Sequence, residues 1–233
     1  MGGRPTEHLE TELKFEVGPD FAVPDLSGLA VGVVMTKPEI RLLVARYFDT
    51  ADLRLAAARI TLRRRTGGPD AGWHLKLPLG AGTRREMQLP LDDAADPADA
   101  ADPDNDDPEN AATAVPAPLV ELVSGWVRDQ PLHVVARLET RRSVRYLNSA
   151  EGETLAEVAD DQVTGQVPGQ PGAPAEPVTW REVEVELVSG GPEILEAARS
   201  RLIAAGAQPS SSASKLGRLL GTRATAGPPK GGG

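Results

Sequence analysis

The sequence predicts an α+β fold in which eight antiparallel strands form a sheet large enough to close into a barrel, with helices flanking it. Three observations carry that expectation. Eight segments alternate side-chain character with period two, and two others repeat their apolar residues at helical spacing. The 233 residues, 40% of them hydrophobic, suffice to fill a core and argue against wholesale disorder.

In chain order the strands are expected near 8–17, 42–49, 58–66, 72–78, 84–91, 132–146, 153–160 and 179–188. The stretch 36–46, within PEIRLLVARY, fits a helix in part as well as a strand. Helices are expected at 118–128 and at 192–205, where Ile194, Leu195, Ala198, Leu202 and Ile203 share one face. A short helix is expected over 212–220. Residues 92–117 are a low-complexity Ala/Asp/Pro run, expected to be a solvated, extended insertion because proline breaks regular structure and like charges repel. Gly165 to Pro177 reads as a long hairpin loop and 224–233 as a flexible tail, leaving 1–223 as one domain.

Composition excludes several chemistries. Zero cysteines remove disulfides, thiolate metal sites and a cysteine nucleophile, and the three histidines (His8, His74, His133) are too scattered for a histidine cage. Eight aromatics in all disfavour a base-stacking surface, so no nucleic-acid partner is expected. Trp126 and Trp180 read as core residues. The net charge of −9 belongs to one segment: 92–117 holds nine acids and no base, and subtracting these from the 34 acids leaves 25 against 25 bases. No apolar stretch is long enough to cross a bilayer and no secretory signal is visible, so the expectation is a soluble, cytoplasmic protein with no membrane partner.

The unusual feature is what alternates. Glu10, Glu12, Lys14 and Glu16 occupy every second position of the first strand, and Glu182, Glu184 and Glu186 do so in the last. Between them lie Arg63-Arg64-Arg65, His74-Leu-Lys76, Arg84-Arg-Glu86-Met-Gln88 and Arg137-Leu-Glu139-Thr-Arg141-Arg142. Side chains at i and i+2 share a face about 7 Å apart, so each strand carries a charged stripe. A solvated outer face of mixed salt bridges does not explain why acids and bases segregate by strand, since three glutamates with no base between them repel. A barrel with a polar lumen does explain it. One acidic wall would hold Mg²⁺ or Mn²⁺ through oxygen ligands. A facing basic wall would hold polyphosphate oxygens.

The segment HLETELKFEV carries Glu10-x-Glu12-x-Lys14 and resembles the opening signature of the CYTH family, the triphosphate tunnel metalloenzymes. Further segments match in order: ARYFDTADLRL, with Tyr47, Phe48, Asp49 and Thr50; ITLRRR, with Arg63 and Arg65; HLKLP, with Lys76; and TRREMQ, with Arg84 and Glu86. RLETRRSVRYL follows, where Arg142 matches better than Arg141, then LAEVADDQV, with Glu157 and either Asp160 or Asp161. WREVEVEL supplies Glu182, Glu184 and Glu186, and SSSASKLGRLL supplies Lys215 and Arg218. The resemblance spans about residues 7–220 and implies an eight-stranded closed tunnel. It also implies hydrolysis of inorganic triphosphate to pyrophosphate and phosphate, or of thiamine triphosphate, or cyclisation of ATP. The form is most similar to the N-terminal module of bacterial proteins in which a helical CHAD domain follows, which implies such a domain as a partner in a longer chain.

On this resemblance Glu10, Glu12, Glu157, Asp161, Glu184 and Glu186 would be metal ligands for Mg²⁺ or Mn²⁺. Arg63, Arg65, Lys76, Arg84, Arg142, Lys215 and Arg218 would grip phosphate oxygens. Lys14 would orient phosphate or lower the pKa of a water, and Glu186 would orient or deprotonate the attacking water. Two departures stand out: the acidic insertion lies where the family has a shorter connection, and Thr140 occupies a place where some members have lysine. The scarcity of aromatics favours inorganic triphosphate. A polyphosphate-binding module without turnover and a structural salt-bridge lattice remain the competing readings. His74 shares the parity of Lys76 but reads as a satisfied polar residue, and His8 and His133 as incidental.

Overall fold

The fold follows from strands that are apolar on the outside and charged on the inside. The structure, a computed structural model, describes residues 4–80, 82–91, 115–168 and 176–221. The acidic run up to residue 114, the centre of the 165–177 loop and the tail 224–233 lie outside the described residues. The strands are β1 (Thr6–Glu16), β2 (Val34–Met35), β3 (Glu39–Asp49), β4 (Thr61–Thr66), β5 (Gly72–Gly80), β6 (Thr83–Pro90), β7 (His133–Asn148), β8 (Thr154–Gln166), β9 (Val178–Leu187) and β10 (Gln208–Pro209). The helices are α1 (Arg54–Ala57), α2 (Ala117–Val127), α3 (Pro192–Ala204) and α4 (Lys215–Leu220). The sheet runs β1-β6-β5-β4-β3-β7-β8-β9, and β9 pairs back onto β1 to close an eight-stranded antiparallel barrel. Closure depends on β1 serving two partners. Its first half, Thr6 to Thr11, pairs with β6, and Glu12 to Glu16 pairs with β9.

The ambiguous stretch at 36–46 is strand, not helix, from Glu39 onward. Three of its β-branched or bulky neighbours (Ile40, Leu42, Val44) fall on one face, and pairing on both sides with β4 and β7 overrides local helix propensity. The strand expected from 58 begins at Thr61, because a helical turn, α1, and the turn that closes it occupy the chain up to residue 60. Asp49 decides this: its buried carboxylate accepts backbone N–H bonds from Thr50 (2.7 Å), Leu55 (2.9 Å) and Ala56 (2.9 Å). The Tyr-Phe-Asp-Thr motif is thus in part a chain-turning device.

Two helical caps cover apolar outer faces of the barrel. α3 starts with Pro192 and carries Glu193 in its first turn and Arg201 in its last, matching the backbone dipole. Its buried residues Ile194, Leu195, Ala198 and Leu202 pack on Phe15, Val158, Val183 and Val185 from β1, β8 and β9. Burial of each larger side chain contributes roughly 2 kcal/mol. Ile203, expected on that face, is instead 41% exposed. α2 buries Leu119, Val123 and Val127 against Phe48, Trp73, Leu75 and Leu89. Trp126, expected in the core, is 43% exposed, because the i, i+4, i+8 row leaves it on the far side of α2. Inside the barrel one end is apolar: Leu216 and Leu220 of α4 pack with Ala45, Leu138, Val163 and Trp180. The Ser214 hydroxyl caps α4 by accepting the Gly217 N–H at 3.0 Å. No helix among the described residues is long and apolar enough to cross a membrane.

Candidate active site in the barrel lumen

Antiparallel register turns the stripes into two walls. Glu12 lies opposite Glu186, and Glu186 in turn opposite Glu157. Asp161 lies opposite Glu182 on one side and Arg142 on the other. On the far side Lys76 faces both Thr61 and Glu86, Arg63 faces His74, and Glu10 faces Arg84. Together they line a cavity of about 160 Å³. Seven of its lining residues are carboxylates (Glu10, Glu12, Asp70, Glu86, Glu157, Glu184, Glu186), and seven are Lys or Arg (Lys14, Arg63, Arg65, Lys76, Arg84, Arg142, Lys215).

The acids divide into two clusters, each with one oxygen per residue within 4.8 Å of the others: Glu10, Glu12 and Glu186, and Asp161, Glu182 and Glu184. They are not equivalent. The second already surrounds a cation, because Lys215 Nζ lies 2.9 Å from Asp161 and 2.7 Å from each of Glu182 and Glu184. Burial opposes the ammonium charge, but Asp161, Glu182 and Glu184 outweigh it and hold the Lys215 pKa well above its ordinary value. The first cluster is less satisfied. Glu10 Oε1 is buried with no hydrogen-bond partner. Lys76 Nζ approaches the other Glu10 oxygen at 2.5 Å, and Lys14 Nζ lies 3.0 Å from Glu12. Burial first, then the charges of Glu10 and Glu12, push the Glu186 carboxyl up to about 8. Three oxygens converging around an orphaned, buried carboxylate atom fit a hard divalent cation.

Lys14 stands between the clusters, within 3.0 Å of Glu12 and in contact with Glu184. Burial disfavours its charge, yet Glu12 and Glu184 together raise its pKa. Across the lumen the Nε atoms of Arg63 and Arg65 are buried without hydrogen-bond partners among the described residues. Burial, together with Arg63 and Arg142, brings Arg65 down to about 9. This wall is short of anions.

The structure divides the expected phosphate-binding set. Arg63, Arg65, Lys76 and Arg84 line the cavity on the basic side. Arg142 lines it too, but its fork grips Asp161 at 2.8 and 2.7 Å and reaches Glu184 at 2.9 Å. Lys215 sits among acids, as described. Arg218 does not line the cavity; it lies 5.5 Å over the Trp180 ring, with Nη1 3.6 Å from Glu16. Of the expected metal set, Glu10, Glu12 and Glu186 come together. Asp161 and Glu184 belong to the lysine-filled cluster, and Glu157 to neither. The Asp160/Asp161 alternative resolves by parity: Asp160 points outward onto Arg181 at 2.8 Å. Thr140 is buried beside Leu43 and Val163, off the cavity lining.

Sequence reasoning passed over several lining residues. Glu86 was matched without a role, yet it accepts contacts from His8 Nε2 at 2.8 Å and His74 Nδ1 at 2.7 Å. His8, expected to be incidental, therefore lines the cavity, and its parity with Glu10 was the available signal. His74 is the satisfied polar residue expected, with Nε2 3.0 Å from the Asp70 carbonyl. Burial, and then Arg63 and Arg65 against the opposing Glu86 contact, lower it to about 3. Tyr47 and Asp70 also line the cavity, and no charged stripe marked either.

A family model described as CYTH domain matches residues 8–218. The chain belongs to the CYTH family. Members of this family are metal-dependent tunnel enzymes acting on triphosphates, as triphosphatases or cyclases. Two uncharacterized proteins of Mycobacterium tuberculosis, from strains CDC 1551 / Oshkosh and H37Rv, are each 42% identical over 229 residues. Those residues cover 94% of this chain and 41% of the relative, so the CYTH chain spans about two fifths of the length of these curated relatives. Among solved structures, a candidate adenylate cyclase from Bacillus halodurans superposes with a TM-score of 0.59 at 18% identity, covering 92% of this chain and 98% of its own. That likeness shows the same fold. A protein from Hippeastrum, described as a candidate adenylyl cyclase with dominant triphosphatase activity, is similar at a TM-score of 0.45 and 16% identity, covering 91% and 93%.

Proposed function

We propose that the CYTH lumen hydrolyses a triphosphate, with inorganic triphosphate cleaved to pyrophosphate and orthophosphate. The observation that carries this reading is the pairing of Glu10, Glu12 and Glu186, around an orphaned carboxylate oxygen, with a basic wall whose Arg63 and Arg65 Nε atoms lack partners. Glu10, Glu12 and Glu186 would hold Mg²⁺ or Mn²⁺. That ion would neutralise phosphate charge and polarise a phosphoryl oxygen. Arg63, Arg65, Lys76 and Arg84 grip the non-bridging oxygens and hold the chain straight through the barrel. Lys14, kept charged by Glu12 and Glu184, donates to a terminal phosphate. Glu186, in its ionised form beside that ion, orients the attacking water or takes its proton. The water oxygen bonds to phosphorus as the bridging P–O bond breaks, and the leaving oxygen departs with pyrophosphate. No side-chain nucleophile is needed, since positioning and charge neutralisation suffice for a loose phosphoryl-transfer transition state. Among the described residues Tyr47 is the one Phe, Trp or Tyr on the lining, which favours inorganic triphosphate over a base-bearing or thiazolium-bearing substrate. Lys215 already supplies the cation of the second cluster, so one metal suffices.

The test is orthophosphate release from inorganic triphosphate with Mg²⁺ and then Mn²⁺, beside the Glu10→Ala/Glu12→Ala double variant. Metal-dependent release that the double variant loses is the expected outcome. A folded chain whose melting temperature triphosphate raises, without release, would make the lumen a polyphosphate-binding module.

A further inference from the structure

A second cavity of about 200 Å³ adjoins the first, and two ion pairs line both: Arg142 with Glu157, where Arg142 is also held by Asp161 and Glu184, and Arg65 with Asp70. Arg65 and Asp70 line both cavities, and their side chains are in direct contact. The lateral cavity adds Arg41, Tyr146, Leu43 and Pro69. Arg41 is aimed across it, donating from Nη2 to the Tyr146 hydroxyl at 2.7 Å.

Asp70 is an odd choice for this place. Among the described residues it is the one carboxylate of the lining outside the strands, carried by the connection between β4 and β5, and it lies on the basic side. Its backbone carbonyl is pinned by His74 Nε2 at 3.0 Å and by Arg65 Nη2 at 3.2 Å. The chain reaches it through Gly67 and Gly68, both at φ +76°, and a Cβ at Gly67 would stand 2.0 Å from the Leu42 carbonyl oxygen. The backbone is thus anchored while the side chain is 48% exposed. Leaving Arg65 requires only a rotamer change.

We infer that Asp70 is a specificity-determining residue: its carboxylate takes the place of a phosphate on Arg65, closes the lateral cavity off and limits the tunnel to a triphosphate. This rests on the triphosphatase reading and deepens it. When Asp70 swings out, the two cavities join, and the lateral one receives one further phosphate between Arg65 and Arg41, as guanidinium forks suit its oxygens.

The experiment measures binding of linear triphosphate and tetraphosphate by calorimetry in the presence of a chelator, to the wild-type chain, Asp70→Asn, Asp70→Ser and Asp70→Asn/Arg41→Ala. Phosphate release with metal is measured separately. The expected result is a preference of the wild type for triphosphate and a gain of at least about tenfold for tetraphosphate relative to triphosphate in both Asp70 variants. The added Arg41→Ala change is expected to remove that gain. An unchanged affinity ratio, or equal gains on both anions, would overturn the inference. Binding of neither anion by any variant would overturn both readings. The ratio shift without phosphate release would uphold the inference and overturn only the hydrolytic reading.

Discussion

Glu186 shows how one residue can set function against stability. It is held by no ion pair among the described residues, and burial with Glu10 and Glu12 pushes its carboxyl up to about 8. An unfolded glutamate releases its proton near 4.3, whereas the folded chain keeps it until about 8. Between those values the folded state binds the extra proton, so stability falls as pH rises. Glu186→Gln removes that dependence. The expected result is a variant more stable than wild type at pH 8, by on the order of 1 to 3 kcal/mol, and equal to it near pH 4. Urea titrations at the two pH values measure this, and the same variant is expected to lose phosphate release. A salt-bridge lattice predicts the opposite sign.

At the scale of an element, α4 does more than seal the apolar end of the barrel. Six residues long and capped by Ser214, it delivers Lys215 into three carboxylates from two strands. Removing one partner of a buried charge cluster leaves the others uncompensated, at a cost of about 3–5 kcal/mol. Lys215→Ala is therefore expected to destabilise the chain by that amount in denaturant titration. Added Mg²⁺ is expected to restore part of the loss by entering the vacated cluster. No restoration would show that Asp161, Glu182 and Glu184 are shaped for an ammonium alone. β1 is the other element with a double role. Its alternation is continuous over eleven residues, yet it changes partner between Thr11 and Glu12, where the barrel closes.

For the whole molecule, the balance of acids and bases in the lumen predicts a chain that folds before any ligand arrives. Seven carboxylates meet seven Lys or Arg side chains on the cavity lining, so acids and bases match in number although they are locally segregated. This differs from small metal-nucleated domains, whose folding free energy is metal binding. A chelator is expected to leave the melting temperature within about 2 °C. Triphosphate with Mg²⁺ at a hundred times its dissociation constant is expected to stabilise by about 2.7 kcal/mol. Thermal unfolding measures both. A chain that unfolds on chelation would mean that the acidic cluster cannot tolerate its own repulsion.

The charged stripes alone determined that the barrel is inverted, with polar residues inside and apolar ones beneath helices, because period-two alternation assigns faces without knowledge of partners. They also determined which strands are acidic and which basic, and hence Glu10, Glu12, Glu184, Glu186, Arg63, Arg65, Lys76 and Arg84 as lumen residues. Strand 42–49 was legible, but its start at Glu39 was not, since 36–46 fits a helix as well as a strand until β4 and β7 flank it. Pairing among the charges was also decided only in three dimensions. Parity says which way Arg142 faces, but which anion it meets, and where Lys215 and Arg218 of α4 reach, depends on shear, strand tilt and the seat of α4. Thus Lys215 meets three carboxylates, Arg218 stacks on Trp180, and Asp70 reaches Arg65 from a loop that no alternation could mark. Local periodicity is a property of the backbone repeat, whereas a salt bridge is a coincidence of distant segments that closure of the barrel alone creates.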